Sequence, residues 1–172
     1  MSAPILFMPE FGSVRLIECS PPSWMVQLAL KEKGIAYEVR ELSFAKGEHK
    51  TPEMLERNPR GTIPVFSDGP YNLYETYAIF DYIEYAYPTP PLRPENKDLH
   101  VLSILRLHES SNLKSAGMSL FAYLMRTSEE ERDAQVFQGM LDTFKEELHF
   151  WEHAYQESAW LAGGDLSYAD LS

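Results

Sequence analysis

Hydrophobic positions in the first half of the chain switch repeatedly between a two-residue and a helical period. Residues 14–19 (VRLIEC) alternate enough for a strand, and Pro21-Pro22 then stand where the first turn of a helix tolerates proline. Trp24, Val26, Leu28 and Leu30 carry that helix to Gly34, a residue suited to the position just past a helix end. Residues 36–42 (AYEVREL) read as a second strand and residues 52–57 as a short helix, closed by the Asn58-Pro59-Arg60-Gly61 turn. Ile63-Pro64-Val65-Phe66 is strand-like, Asp68-Gly69 signals a hairpin, residues 72–74 return as a short strand, and residues 76–87 form an amphipathic helix. The order βαβαββα implies a mixed sheet whose first two strands are joined by a right-handed crossover.

The pattern breaks at PTPPLRP, where four prolines in seven residues exclude both helix and central strand. Every later segment reads as helix. One runs over residues 98–126; a second opens on the capping-box sequence Ser128-Glu129-Glu130-Glu131 and continues to about Ser158. Ser167 and Asp170 repeat the capping spacing, so a further helix is expected from Ser167. The chain is therefore expected to hold an α/β domain over residues 1–88, a linker over 89–94 and an all-α domain over 95–172. There is no internal repeat and no low-complexity tract.

Composition narrows the possible partners. A content of 44% hydrophobic and 13% aromatic residues is ample for a packed core. No apolar run approaches the roughly 20 residues that span a bilayer, and residues 1–11 lack the basic and apolar regions of a signal peptide; no membrane partner and a cytoplasmic location are expected. The formal charge of −11, from 15 Lys and Arg against 26 Asp and Glu, repels phosphate backbones and makes nucleic acid an unsuitable partner. Cys19 is the single cysteine, so no internal disulfide forms and a reducing compartment fits.

Within that frame a few residues could carry chemistry. Ser20 lies between a strand end and a helix N-terminus, where backbone N–H groups and the helix dipole favour an anion; an isolated serine there is otherwise an N-cap. Ser23 reads as the cap. Pro64 interrupts a strand whose ladder it cannot join. Glu75 and Thr76 open a helix, where an acid complements the dipole and a hydroxyl caps. His49 and Lys50 form a cationic pair that, by itself, reads as solvated loop. His149-Phe150-Trp151-Glu152-His153 has the H-x-x-E-H spacing of some zinc peptidases, but a third ligand is wanting, and the plain reading is two partly exposed histidines with Phe150 and Trp151 in the core; no metal is expected. Cys19 points away from Ser20 on an alternating strand and reads as a buried, inert thiol.

Three segments, in order and at specific spacing, resemble the glutathione transferase family: SPPSW with LALKEKGIAYE, then NPRGTIP, then LYET with AIFDYI. The proline-rich linker, the long helices and the Ser167-x-x-Asp170 box extend the resemblance over nearly the whole chain. SPPSW, ELSFAKGEHK and NPRG are most similar to the rho class of aquatic animals, with theta, phi and tau as serine-type relatives. The resemblance implies a thioredoxin-like N-terminal domain, an all-helical second domain that is incomplete at Ser172, and a homodimer. It implies an enzyme that adds the glutathione thiolate to hydrophobic electrophilic small molecules in detoxification, with glutathione as co-substrate and no cofactor. Ser20 would stabilise the thiolate. The Ile63 backbone, presented by a cis bond to Pro64, would pair with the cysteinyl unit; Glu75 and Thr76 would take the γ-glutamyl group, and His49 and Lys50 the glycyl carboxylate. Thr62 stands where related sequences often carry glutamine. The electrophile would sit between the domains, against Met118, Phe121, Ala122 and Met125, an apolar stripe that otherwise reads as plain core. The alternative is a non-catalytic module of the same fold used for binding or assembly.

Overall fold

A computed structural model describes residues 3–10, 20–156 and 158–172. The chain divides into two compact units, one built on residues 3–92 and one on 93–170.

The first unit is a four-stranded sheet with helices. Its elements are β1 (Ile5–Pro9), α1 (Pro21–Glu32), β2 (Glu38–Leu42), α2 (Pro52–Arg57), β3 (Val65–Asp68), β4 (Tyr71–Tyr74) and α3 (Thr76–Ala86). The strand order is β2-β1-β3-β4, with β1 parallel to β2 and antiparallel to β3, the thioredoxin-like arrangement expected. The strand assigned to residues 14–19 lies outside the described residues, and the central strand is Ile5–Pro9, which the reading missed. The reason is physical: β1 is hydrogen-bonded on both sides and buried over Leu6, Phe7 and Met8, so ILFMP shows an unbroken apolar run instead of alternation.

Local chemistry explains the remaining boundaries. α1 starts on two prolines and ends in a Schellman turn: Gly34 takes φ +64°, its N–H bonds to Lys31 O, and Ile35 N–H bonds to Leu30 O. Val26, Ala29 and Leu30 of α1 and Ile79, Phe80 and Ile83 of α3 are buried to 1% exposure or less. Lys33, whose side chain is fully buried, ties the end of α1 to the exit of α3. Its Nζ lies 2.8 Å from Glu84 Oε2 and donates to the carbonyls of Tyr87 and Pro90 at 2.8 and 2.7 Å. Three acceptors match the three protons of an ammonium group.

The second unit contains α4 (Lys97–Arg126) and α5 (Ala134–Gln156), packed against each other. Asn96 caps α4, its Oδ1 accepting from Asp98 and Leu99 N–H. Ser128 does not open α5. Its hydroxyl donates to Glu131 Oε2 at 2.6 Å within a single 3₁₀ turn, and α5 begins after Asp133, whose Oδ1 accepts from Gln135 and Val136 N–H. Aspartate is an equally good cap and lies directly before the amphipathic run. Trp151, with Leu161 and Ala169, forms a buried cluster flanked by Leu113 and Ala154. Phe150, assigned to the core, is instead exposed and carries the Arg106 guanidinium at 5.1 Å from its ring centre. The Ser167–Asp170 box forms: Asp170 Oδ2 accepts from Ser167 N–H and Oγ–H, both at 2.9 Å. A turn over residues 168–171 follows it where a helix was expected, and Asp170 Oδ1 also accepts from Leu161 N–H, tying the turn to the preceding loop.

Candidate functional site at one edge of the sheet

Register places the candidate residues. Phe7 of β1 pairs with Arg40 of β2 and Val65 of β3, and Val65 pairs with Tyr74 of β4. The ends of β1 and β2, the start of β3 and the end of β4 therefore share one edge. From that edge β2 leads to His49 and Lys50, Ile63-Pro64 enters β3, and Glu75-Thr76 leave β4. α1 runs back from the same side toward the start of β2, which puts Ser20, its first flanking residue, there as well.

Ser20 is half-buried and is itself the N-cap of α1, accepting from Ser23 N–H at 3.4 Å. The cap assignment to Ser23 is thus corrected: Ser23 lies inside the first turn, fully buried, with its Oγ 2.8 Å from Ser20 Oγ. Pro21 and Pro22 are the first helical residues, as their sequence position implies, and that sets the cap at Ser20 instead of Ser23.

The Ile63–Pro64 peptide is cis, with Ile63 half-buried and Pro64 buried. Asn58, almost fully buried, braces the loop before it. Its Nδ2 donates to Thr62 O at 2.7 Å and Thr62 Oγ1 at 3.1 Å, while its Oδ1 accepts from Arg60 N–H. Thr62 itself is exposed and uses its hydroxyl in this loop. Gly61 takes φ +59°, and a Cβ there would press on Leu55 and the Lys50 side chain at 3.3 Å, so glycine suits both the backbone and the space.

Glu75 has φ +68°, a conformation that costs a non-glycine residue energy and turns its exposed carboxylate out at the edge. Arg60 Nε lies 3.6 Å from it, with both side chains about two-thirds exposed, a geometry worth little by itself. Thr76 is the first residue of α3 and half-buried.

His49 is not solvated loop. It is 8% exposed, stacked on Phe44 at 4.1 Å between ring centres, and its Nδ1 has no hydrogen-bond partner. Burial, with a smaller contribution from the Lys50 cation, holds its imidazole below the ordinary range, so it is neutral near pH 7. Glu48 Oε2 fixes this loop by accepting Ser43 N–H at 2.7 Å. Lys50 is exposed.

Met118, Phe121, Ala122 and Met125 share one face of α4; Met118 and Met125 are more than half exposed and the other two half-buried. His149 and His153 are exposed, and His149 Nδ1 stands 3.6 Å from Glu152. Cys19 lies outside the described residues. Asn58 and Arg60 carry no chemistry in the sequence reading, although the NPRG turn that holds them was signalled.

The family model described as the glutathione S-transferase N-terminal domain matches residues 17–91. Glutathione S-transferase A of Pleuronectes platessa is 33% identical over 158 residues, covering 89% of this chain and 70% of that protein. Glutathione S-transferase 1 of Zea mays is 31% identical over 147 residues, covering 84% of this chain and 69% of that protein. Among solved structures, a glutathione S-transferase from the Antarctic clam Laternula elliptica superposes with a TM-score of 0.87 at 33% identity, covering 99% of this chain and 74% of that chain. A glutathione S-transferase-I bound with lactoylglutathione superposes at 0.78 with 29% identity, covering 99% of this chain and 79% of that chain. At 33% identity over 70% of the length of the Pleuronectes platessa protein, and with the N-terminal domain model matched over residues 17–91, the chain belongs to the glutathione S-transferase family.

Proposed function

We propose that the chain conjugates glutathione to hydrophobic electrophiles with Ser20 as the donor to the sulfur. The thiol loses its proton to solvent, the sulfur lone pair forms the S–C bond, and in a substitution the leaving group departs with the bonding pair. The observation that carries this reading is the convergence of Ser20, Ile63-Pro64 and Glu75-Thr76 on one sheet edge. The ligand would extend Ile63 as an added strand, with its γ-glutamyl ammonium on Glu75, its α-carboxylate on Thr76, and its glycyl carboxylate on Lys50 and the His49 loop. Neutral His49 serves there as a hydrogen-bonding group and shape-giving wall, leaving Lys50 as the full cation. Met118, Phe121, Ala122 and Met125 supply the apolar surface for the electrophile.

Further assignments rest on the same resemblance. The motifs SPPSW, ELSFAKGEHK and NPRG support the rho class. Val101, Ile104 and Leu105, exposed on α4, support a homodimer, and the single cysteine supports a cytoplasmic setting.

Ser20→Ala tests the reading. A charge-assisted hydrogen bond of about 1.5–3 kcal/mol corresponds to roughly one to two units in the thiol pKa. In the variant the pH–rate profile with an aryl halide should move up by that amount while glutathione affinity stays nearly unchanged. Identical profiles would overturn the role of Ser20. Glutathione binding with no turnover by the parent protein would make the chain a binding module instead.

A further inference from the structure

Two prolines decide what the start of α1 can offer a ligand. Pro21 and Pro22 occupy the first two helical positions and carry no N–H. The next two N–H groups, of Ser23 and Trp24, are both engaged by the Ser20 carbonyl, at 2.9 and 3.1 Å. An anion arriving at this turn therefore meets the Ser20 hydroxyl, not a set of free backbone amides as the bare sequence suggested. A hydroxyl has one proton to donate. Where Ser20 sends it depends on Ser23 Oγ, 2.8 Å away, in a pair where either oxygen could be the donor.

We infer that Ser23 is a positioning residue for the transfer reaction: its buried hydroxyl donates to Ser20 Oγ and leaves the Ser20 proton directed at the glutathione sulfur. The inference rests on the reading of Ser20 given above. Ser23 is fully buried and one helical turn beyond Ser20, so its hydroxyl is held in place by the helix and the core beneath it. If the pair ran the other way, Ser20 would give its single proton inward and present only lone pairs to an anion, which repels one. With Ser23 as donor, the two hydroxyls form a short chain ending on the sulfur. Each bond in such a chain polarises the next, strengthening it by about 10–30%. Ser23, fully buried, acts only through Ser20.

The test compares Ser23→Ala, Ser23→Thr, Ser20→Ala and the double variant, reading the ultraviolet thiolate absorbance of bound glutathione against pH together with kcat and KM. Ser23→Ala should raise the apparent pKa of the bound thiol by roughly half to one unit and lower kcat at neutral pH about three- to tenfold, with KM for glutathione changed by less than about twofold. Threonine should restore the titration, because it returns the donor. In the Ser20→Ala background the second substitution should add nothing, since the chain is already broken. An unchanged titration in Ser23→Ala beside a shifted one in Ser20→Ala would overturn the role of Ser23 alone, as would a loss of melting temperature with no change in profile. Unchanged titrations in both single variants would overturn the reading of Ser20. Should alanine at the buried site prevent folding, Ser23→Cys, of similar volume and a weak donor, should give a shift in the same direction; a wild-type titration from it would count against the proposal.

Discussion

The two units bury their hydrophobic residues in opposite ways. In the first, the sheet and helices α1 and α3 close over Leu6, Phe66, Leu30 and Ile83, which are shielded completely, and the buried polar side chains of Lys33 and Asn58 are held by several hydrogen-bonding partners each. In the second, the buried residues of the 30-residue α4 are two serines, Ser103 and Ser110, and that of α5 is Trp151, while Val101, Ile104, Leu105, Met118 and Met125 remain exposed. A sheet presents a whole face to be covered, so strands of four or five residues make a core with two helices. Two antiparallel helices share only a seam, and apolar residues outside that seam stay in water unless another surface covers them. The first unit therefore fixes its side chains closely, whereas α4 and α5 leave an apolar surface exposed.

The largest effect expected from this contrast lies at the buried ion pair. Glu84→Ala leaves the Lys33 ammonium buried without its counter-ion and should cost the first unit about 3–5 kcal/mol. Urea unfolding followed by Trp24 fluorescence measures it; a loss under about 1 kcal/mol would mean that the carbonyls of Tyr87 and Pro90 alone satisfy the amine. Next come two truncations of similar size in the two units. Ile83→Ala, in the closed core, should cost about 2–5 kcal/mol, whereas Met118→Ala, exposed on α4, should stay within about 0.5 kcal/mol. Equal costs by calorimetry would break the comparison, because Met118 would then have to be covered in solution. The smallest effect separates two caps in the second unit: Asp133→Ala should cost about 1 kcal/mol and Ser128→Ala much less. Circular dichroism on heating distinguishes them, and the reverse order would return the start of α5 to Ser128.

Much of the fold was legible because it is written in short-range chemistry. The α2 helix over residues 52–57, the hairpin at Asp68-Gly69 and the glycine stop after α1 follow from turn and capping preferences that act within a few residues. The β1 strand was not legible for the opposite reason: a strand covered on both faces loses its alternation, and only its neighbours β2 and β3 identify ILFMP as the centre of a sheet. Phe150 and Trp151 make the same point on a helix. Adjacent aromatic residues look alike in sequence, yet a rotation of about 100° per residue sends one into the core and the other to the surface.

By itself the sequence determined the order of elements, the family, the prolines at the head of α1 and the acid-hydroxyl pair at the head of α3, since each is a property of neighbouring residues or of a motif. Tertiary structure alone decided that these motifs meet. The register Phe7–Val65–Tyr74 brings three chain segments to one edge, burial against Phe44 encloses the His49 ring and lowers its pKa, and packing at the first turn of α1 places the Ser23 hydroxyl on Ser20. Such facts depend on distances between residues remote in sequence or on which side of a helix faces the core, and a linear pattern constrains them only through the fold that it selects.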